Sequence, residues 1–154
     1  MRLLVYGFGP YAPFKQNITE KIVRKLPKLP GMRKIVFPVR FERKQFIERV
    51  EKYQPEIIVG IGQSSRRRRL SIERRAVNRM RARKGGKARS IRKGGPRSLA
   101  TNLKLDRREL RTSYNAGDYV CNYSMYVILE HLRRKNLSTY PIWVYPCSSR
   151  PQAG

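Results

Sequence analysis

Acidic residues are scarce in this 154-residue sequence. Ten Asp and Glu stand against 36 Lys and Arg, giving a net charge of +26 and an isoelectric point near 11.2. The charge-rich surfaces of heat-stable proteins balance their cations with Glu, and this chain has no such balance. Histidine occurs once, at His131, and cysteine twice, at Cys121 and Cys147. Two cysteines make neither a metal cluster nor a disulfide framework, so no metal and no cofactor are expected. No apolar run approaches the ~20 residues of a membrane span. The opening MRLLVYGFGPY is too short and too broken by glycine for a secretory signal. A cytoplasmic location with no membrane partner is the expectation.

What the chain does have is arginine: 24 of its 36 cations. Arginine favours forked, bidentate and stacked contacts over mere solubility. A single-sign excess of this size also destabilises a compact state unless anions screen it. Both points suggest a polyanionic partner, and nucleic acid is the commonest one. The excess is densest between Arg66 and Arg97, where 15 cations accompany one acid, Glu73. The candidate RNA contacts are Arg66, Arg67, Arg68 and Arg69, then Arg74, Arg75, Arg79, Arg81 and Arg83. Lys84, Lys87, Arg89, Arg92, Lys93 and Arg97 complete the set. No zinc-finger spacing and no aromatic RNA-recognition signature accompanies them, so shape readout of a folded RNA fits better than sequence readout.

With 40% apolar residues the length suits one domain with a real core. Leu3 to Tyr6, Lys34 to Phe37 and Glu56 to Gly62 read as strands, the third apolar on both faces and therefore central and parallel. Between them, Asn17 or Thr19 caps a helix with Ile22, Val23 and Leu26 on one face, and Lys44 to Lys52 forms a second helix that Pro55 ends. Ser71 is expected to cap a helix carrying Ala76, Val77 and Met80. Lys84 to Gly95 has almost nothing to bury and reads as a basic loop or arm. A short helix over Leu105 to Leu110, a strand at Arg111 to Tyr114, a helix from Val120 to Arg134 and a last strand from Tyr140 to Tyr145 follow. Strands alternating with helices predict an α/β fold, a three-layer α/β/α sandwich with a largely parallel sheet. One domain over 1–146 and an irregular tail over 147–154 are expected.

The stretch NAGDYVCNYSMY, Asn115 to Tyr126, sets Cys121 where a turn gives way to an apolar helix. Unpaired N–H groups and the helix dipole favour a thiolate there. A cysteine nucleophile also needs a base, normally a histidine. His131 lies ten residues further along the same helix, about 15 Å away at 1.5 Å per residue. It cannot reach the thiol.

Several segments in order resemble the pyroglutamyl peptidases, a family of cysteine peptidases. GFGPYAPFKQNITE is similar to that family's GFEPFGG…NPTE, and FPVRF to its LPVxF. IGQSSRRRRLSIERRAVN resembles GQAGGRxxIxxERVAIN, with Gln63 and Glu73 ten apart as in the family. GPRSLATNL resembles GPxAYFSTL, and NAGDYVCNYSMY resembles SAGxYLCNYxMY. The resemblance implies the family's α/β/α fold, here shortened at the C-terminus so that one face of the sheet is left open. It also implies a catalytic Glu, Cys and His, the first two matching Glu73 and Cys121.

The histidine has no match. The family strand reads apolar-apolar-His-Val-Pro, and the segment here is Pro141-Ile142-Trp143-Val144-Tyr145-Pro146. Anchored on Pro146, the histidine position holds Val144, and no single-residue slip helps, because neither Trp143 nor Tyr145 is expected to serve as the base. Gly9, Ala12, Pro13 and Ser65-Arg66 replace the family's glutamate and glycines around the substrate loop. The expectation from sequence is thus a pseudoenzyme, with Glu73 and Cys121 vestigial and no small-molecule substrate. Its role would be structural RNA binding, most economically to ribosomal RNA beside neighbouring ribosomal proteins. The alternatives are an active cysteine peptidase of the pyroglutamyl type with a rearranged base, and a non-ribosomal tRNA- or DNA-binding protein.

Overall fold

The computed structural model describes residues 1–11, 15–63, 70–83, 85–102 and 110–145. Strand β1 (Leu3–Phe8) is flanked by β2 (Met32–Phe37) and β3 (Ile57–Ile61), both parallel to it. Strand β8 (Tyr140–Tyr145) runs parallel to β3. Strand β4 (Ser71–Glu73) lies antiparallel to β8, and β7 (Arg111–Ser113) is parallel to β4. The six-stranded order is β2-β1-β3-β8-β4-β7. The α/β class and the central place of β3 agree with the sequence.

Alternation along the strands gives the sheet two unequal faces. Leu4, Tyr6, Phe8, Ile58 and Trp143 are buried on the inner face. Over them pack α2 (Arg43–Tyr53), through Phe46 and Val50, and α3 (Val120–Arg134). Nearly every residue of α3 from Val120 to Leu132 is buried, because a hydrophobic helix shared between a sheet, a helix and a ribbon has little free surface. The outer face is covered near β1 and β2 by α1 (Ile18–Lys25), which buries Val23. Ile57, Val59, Ile142 and Val144 remain only partly buried there.

Local chemistry fixes the ends of these helices. The Asn17 side chain accepts the Thr19 N–H at 3.0 Å, the expected N-cap of α1. Gln54 ends α2 in a left-handed turn at φ 45°. Before α3, Asn115 Oδ1 accepts the Gly117 N–H at 3.0 Å, and Gly117 itself sits at φ 76°, so the turn needs a glycine there.

One expectation fails between residues 71 and 100. The helix expected after Ser71 is absent: Ser71–Glu73 is β4, and Arg75–Val77 is β5, paired antiparallel with β6 (Ser98–Ala100). Ala76 and Leu99 of this ribbon are buried in the main core. The spacing of Ala76, Val77 and Met80 suits a helix, but cross-strand partners and burial on α3 override so short a periodicity. The described basic residues from 85 to 95 form a loop, one of the two expected readings, and it is tied to the body of the fold. Met80 and Arg89 form a bridge, Asn78 bonds the backbone of Arg92 and Gly95, and Arg92 reaches Glu130 at 2.8 Å. The short helix expected from Leu105, apart from Leu110, and the tail over 147–154 lie outside the described residues. No described helix is long and apolar enough to cross a membrane.

Candidate active site

The C-terminal ends of β3 and β8 meet the N-terminus of α3, at the edge where open α/β sheets bind ligands. Cys121 stands in the first turn of α3. Its sulfur accepts hydrogen bonds from the Gln63 N–H, from its own N–H and from the Tyr145 side chain. Gly62 makes room for this arrangement: a Cβ there would lie 2.5 Å from the Tyr145 ring and 3.1 Å from Cys121 Sγ. The residue keeps some exposure, yet burial around its sulfur pushes the thiol up to about 11 against the pull of those hydrogen bonds.

Strand parity puts the other expected residues in place. Ser71 pairs with Tyr145, Ile72 with Val144 and Glu73 with Trp143, and directly opposed residues share a face. Ser71, Glu73, Trp143 and Tyr145 therefore share the inner face with Cys121. Glu73 is fully buried there, on a strand rather than the expected helix. Val144 lies on the outer face, opposite Ile61 and Ile72. The residue of this strand that meets the thiol is therefore Tyr145, whereas Val144, where the sequence anchors the family's histidine, faces the other way. The sequence signal was available: with Trp143 inward, a two-residue repeat makes Tyr145 inward as well. The expectation set Tyr145 aside on its chemistry, as no base, without asking which face it takes.

A polar relay stiffens the region behind the thiol. Trp143 Nε1 donates to Tyr6 Oη at 2.6 Å, Tyr6 Oη lies 2.9 Å from Ser124 Oγ, and Ser124 Oγ donates to the Cys121 carbonyl at 2.9 Å. Indole nitrogen only donates, and the Ser124 proton is spent on the carbonyl, so Tyr6 must donate to Ser124. Burial raises the Tyr6 hydroxyl well above its ordinary value, which keeps that proton in place. Asn122, fully buried beside Cys121, accepts the Val77 N–H and donates to the Val77 and Arg79 carbonyls, each at 2.9 Å. One amide thus joins the nucleophile's helix to β5. Sequence reading missed both devices, since neither has a local signature.

His131 sits at the far end of α3, 3.7 Å from Glu51, away from the thiol as expected. The proposed RNA contacts do not form one free surface. Arg79 and Arg81 lie 3.5 and 3.1 Å from Asp118, Arg92 is paired with Glu130, and Arg75 donates to the Tyr114 carbonyl. Arg74 is half-buried, whereas Arg83, Lys87, Arg89, Lys93 and Arg97 are exposed around the β5–β6 ribbon and its loop. Arg66 to Arg69 and Lys84 lie outside the described residues.

Comparison with known proteins bears directly on these expectations. Residues 1–148 match the family model described as pyroglutamyl peptidase. The pyrrolidone-carboxylate peptidase of Pyrococcus furiosus is 35% identical over 156 residues, covering 88% of this chain and 75% of that protein. That of Saccharolobus islandicus is 27% identical over 157 residues with the same coverage. A crystal structure of Bacillus amyloliquefaciens pyroglutamyl peptidase I superposes with a TM-score of 0.82 at 25% identity, covering 94% of this chain and 80% of that one. A mutant pyrrolidone carboxyl peptidase from P. furiosus gives 0.79 at 28% identity with the same coverage. These findings overturn the RNA-binding, ribosomal and pseudoenzyme expectations, together with the expected absence of a small-molecule substrate. Every relative named here is a peptidase, and none is a nucleic-acid-binding protein. The alternative of a cysteine peptidase with a rearranged base fits better. Net charge failed as a guide because it is a property of the whole composition and names no site or partner.

Proposed function

Because the chain belongs to the pyroglutamyl peptidase family, we propose that it is a thiol-dependent peptidase that removes an N-terminal pyroglutamyl residue, with Tyr145 taking the part of the family's histidine. The observation that carries this reading is the hydrogen bond from Tyr145 to the Cys121 sulfur, made where two backbone N–H groups also meet it.

The chemistry follows from those contacts. The thiol loses its proton to solvent, and the thiolate is held by the two N–H groups and the Tyr145 hydroxyl. Its sulfur attacks the pyroglutamyl carbonyl carbon, and a C–S bond forms. As the C–N bond breaks, the Tyr145 hydroxyl gives its proton to the departing amine. The tyrosinate left behind takes a proton from water, which attacks the thioester and releases pyroglutamate and the thiolate. Glu73, buried on the same face, is proposed to orient the tyrosine-thiol pair. We keep the cytoplasm as the proposed location; the ribosome is dropped with the RNA.

Without a near-neutral base the thiolate fraction limits the rate. With the thiol at about 11, activity should rise close to tenfold per pH unit from neutrality until it levels near that value. The test is hydrolysis of a fluorogenic pyroglutamyl amide. Cys121→Ala should abolish turnover. Tyr145→Phe should lower it by ~10²-fold or more, the usual contribution of a positioned acid or base. Tyr145→His should raise activity at pH 7 and flatten the profile. Turnover that survives in Cys121→Ala would sink the proposal.

A further inference from the structure

The rim of the Cys121 site carries more positive than negative charge, set back from the sulfur itself. Asp118, three residues before Cys121, faces both Arg79 and Arg81, so one carboxylate meets two guanidiniums. The Arg79 side chain is still 56% exposed and can meet a second carboxylate. Across the mouth, Tyr119 packs against Tyr11 and Phe41, with ring centroids 5.8 and 5.4 Å apart. Exposed Arg40 immediately precedes Phe41. Arg89 acts on Tyr123, two residues beyond the thiol, while Glu42 opposes it. Arg43 also faces Tyr123, but its charge is taken up by Glu130 at 2.7 Å. Among the described residues the rim thus holds Arg40, Arg79 and Arg81 against Glu42 and Asp118. The N-terminus of α3 adds its positive end.

The sulfur sees this charge only from a distance. Its shift comes from burial and hydrogen bonds, with no cation among the causes. The inner part of the site holds Trp143 and Tyr145 beside Glu73 and, among the described residues, no cation that acts on the sulfur. The cations stand further out, beside Asp118 and the aromatic mouth.

Resting on the peptidase reading above, we infer that this mouth is anion-selective and that the favoured substrates are pyroglutamyl peptides whose next residue carries a carboxylate. Two or three exposed charges acting within a Debye length give a salt-sensitive preference of about tenfold.

The test uses the full chain with Cys147→Ser, leaving one thiol to report. kcat/KM is measured for pyroglutamyl-Glu, pyroglutamyl-Ala and pyroglutamyl-Lys peptides at low and high ionic strength. Glu should exceed Lys about tenfold at low salt, and the ratio should collapse at high salt. Arg40→Glu combined with Arg79→Glu should reverse the order of the Glu and Lys peptides. Independently of turnover, alkylation of Cys121 by iodoacetate relative to iodoacetamide should exceed the ratio for N-acetylcysteine at the same pH. Cys121-dependent turnover with no preference among the three peptides overturns the substrate selectivity and leaves the peptidase reading intact. No turnover of any peptide, with the alkylation ratio still raised and salt-sensitive, overturns the peptidase reading and the peptide preference but supports the anion-selective mouth. An alkylation ratio equal to that of N-acetylcysteine overturns the mouth itself.

Discussion

Tyr6, Phe8, Ile58 and Trp143, on the inner face of the sheet, are almost wholly buried beneath α2 and α3, whereas Ile57, Val59, Ile142 and Val144 on the outer face are each only partly covered. The strands are the same and the residues alternate along them. Only the inner face holds the candidate site: Cys121, Tyr145 and Glu73 lie against the side that packing makes rigid. A nucleophile needs neighbours fixed to a fraction of an ångström, and a closely packed core supplies that. The outer face meets no such demand. One strand, β8, serves both sides, with Trp143 and Tyr145 turned inward and Ile142 and Val144 outward.

The largest difference between the faces should appear on truncation. Phe46→Ala, on the buried side of α2, is expected to cost ~3–5 kcal/mol, the usual penalty for an aromatic cavity, measured by urea unfolding. Gly62→Ala should come next. Its methyl would press on Tyr145 and Cys121, an overpacking cost of ~1–3 kcal/mol, and activity should fall with it. Ile142→Ala, outside, should cost about 1 kcal/mol, because less apolar surface is lost. A similar cost for Ile142→Ala and Phe46→Ala would break the comparison. Histidine placement sharpens it further: Tyr145→His should restore activity near neutrality and Val144→His should not, since the two positions face opposite sides.

The smallest effects are those of pH on stability. The Cys121 thiol is higher in the folded chain than in the unfolded one. Its contribution is therefore complete below the unfolded value of about 8.5 and is lost as pH rises toward about 11. Cys121→Ala should flatten that alkaline decline. Burial alone would raise the Glu130 carboxyl, but the hydrogen bonds and charges of Arg92 and Arg43 hold it below its ordinary value. Its contribution is present above the unfolded value and fades as pH falls through the folded one. Arg92→Gln should move that acid loss to higher pH, as thermal melts across the acid range would reveal.

The long elements were legible because each repeats its pattern several times: β1, β3, α2 and α3 all stand within two residues of their expected bounds. Cys121 was legible from its turn and its helix. The three-residue strands β4, β5 and β6 were not, because three residues complete no period and their partners lie far along the chain. Glu73 went to the wrong element for that reason. Tyr145 was visible as a residue but not as a neighbour of the thiol, since a one-residue slip along a strand exchanges its faces. The basic segment misled in another way. Asp118 and Glu130, the acids that take up Arg79, Arg81 and Arg92, lie well downstream, so a local count of charge overstates what is free.

Trp143 is the only tryptophan in the chain, and its indole N–H begins the relay that ends at the carbonyl of Cys121. The protein therefore carries its own optical probe, one polar chain away from the nucleophile. Its emission should be blue and shielded from iodide in the resting state. Any event that shifts α3 against β8, such as acylation of the thiol, should register as a change in fluorescence with no label added.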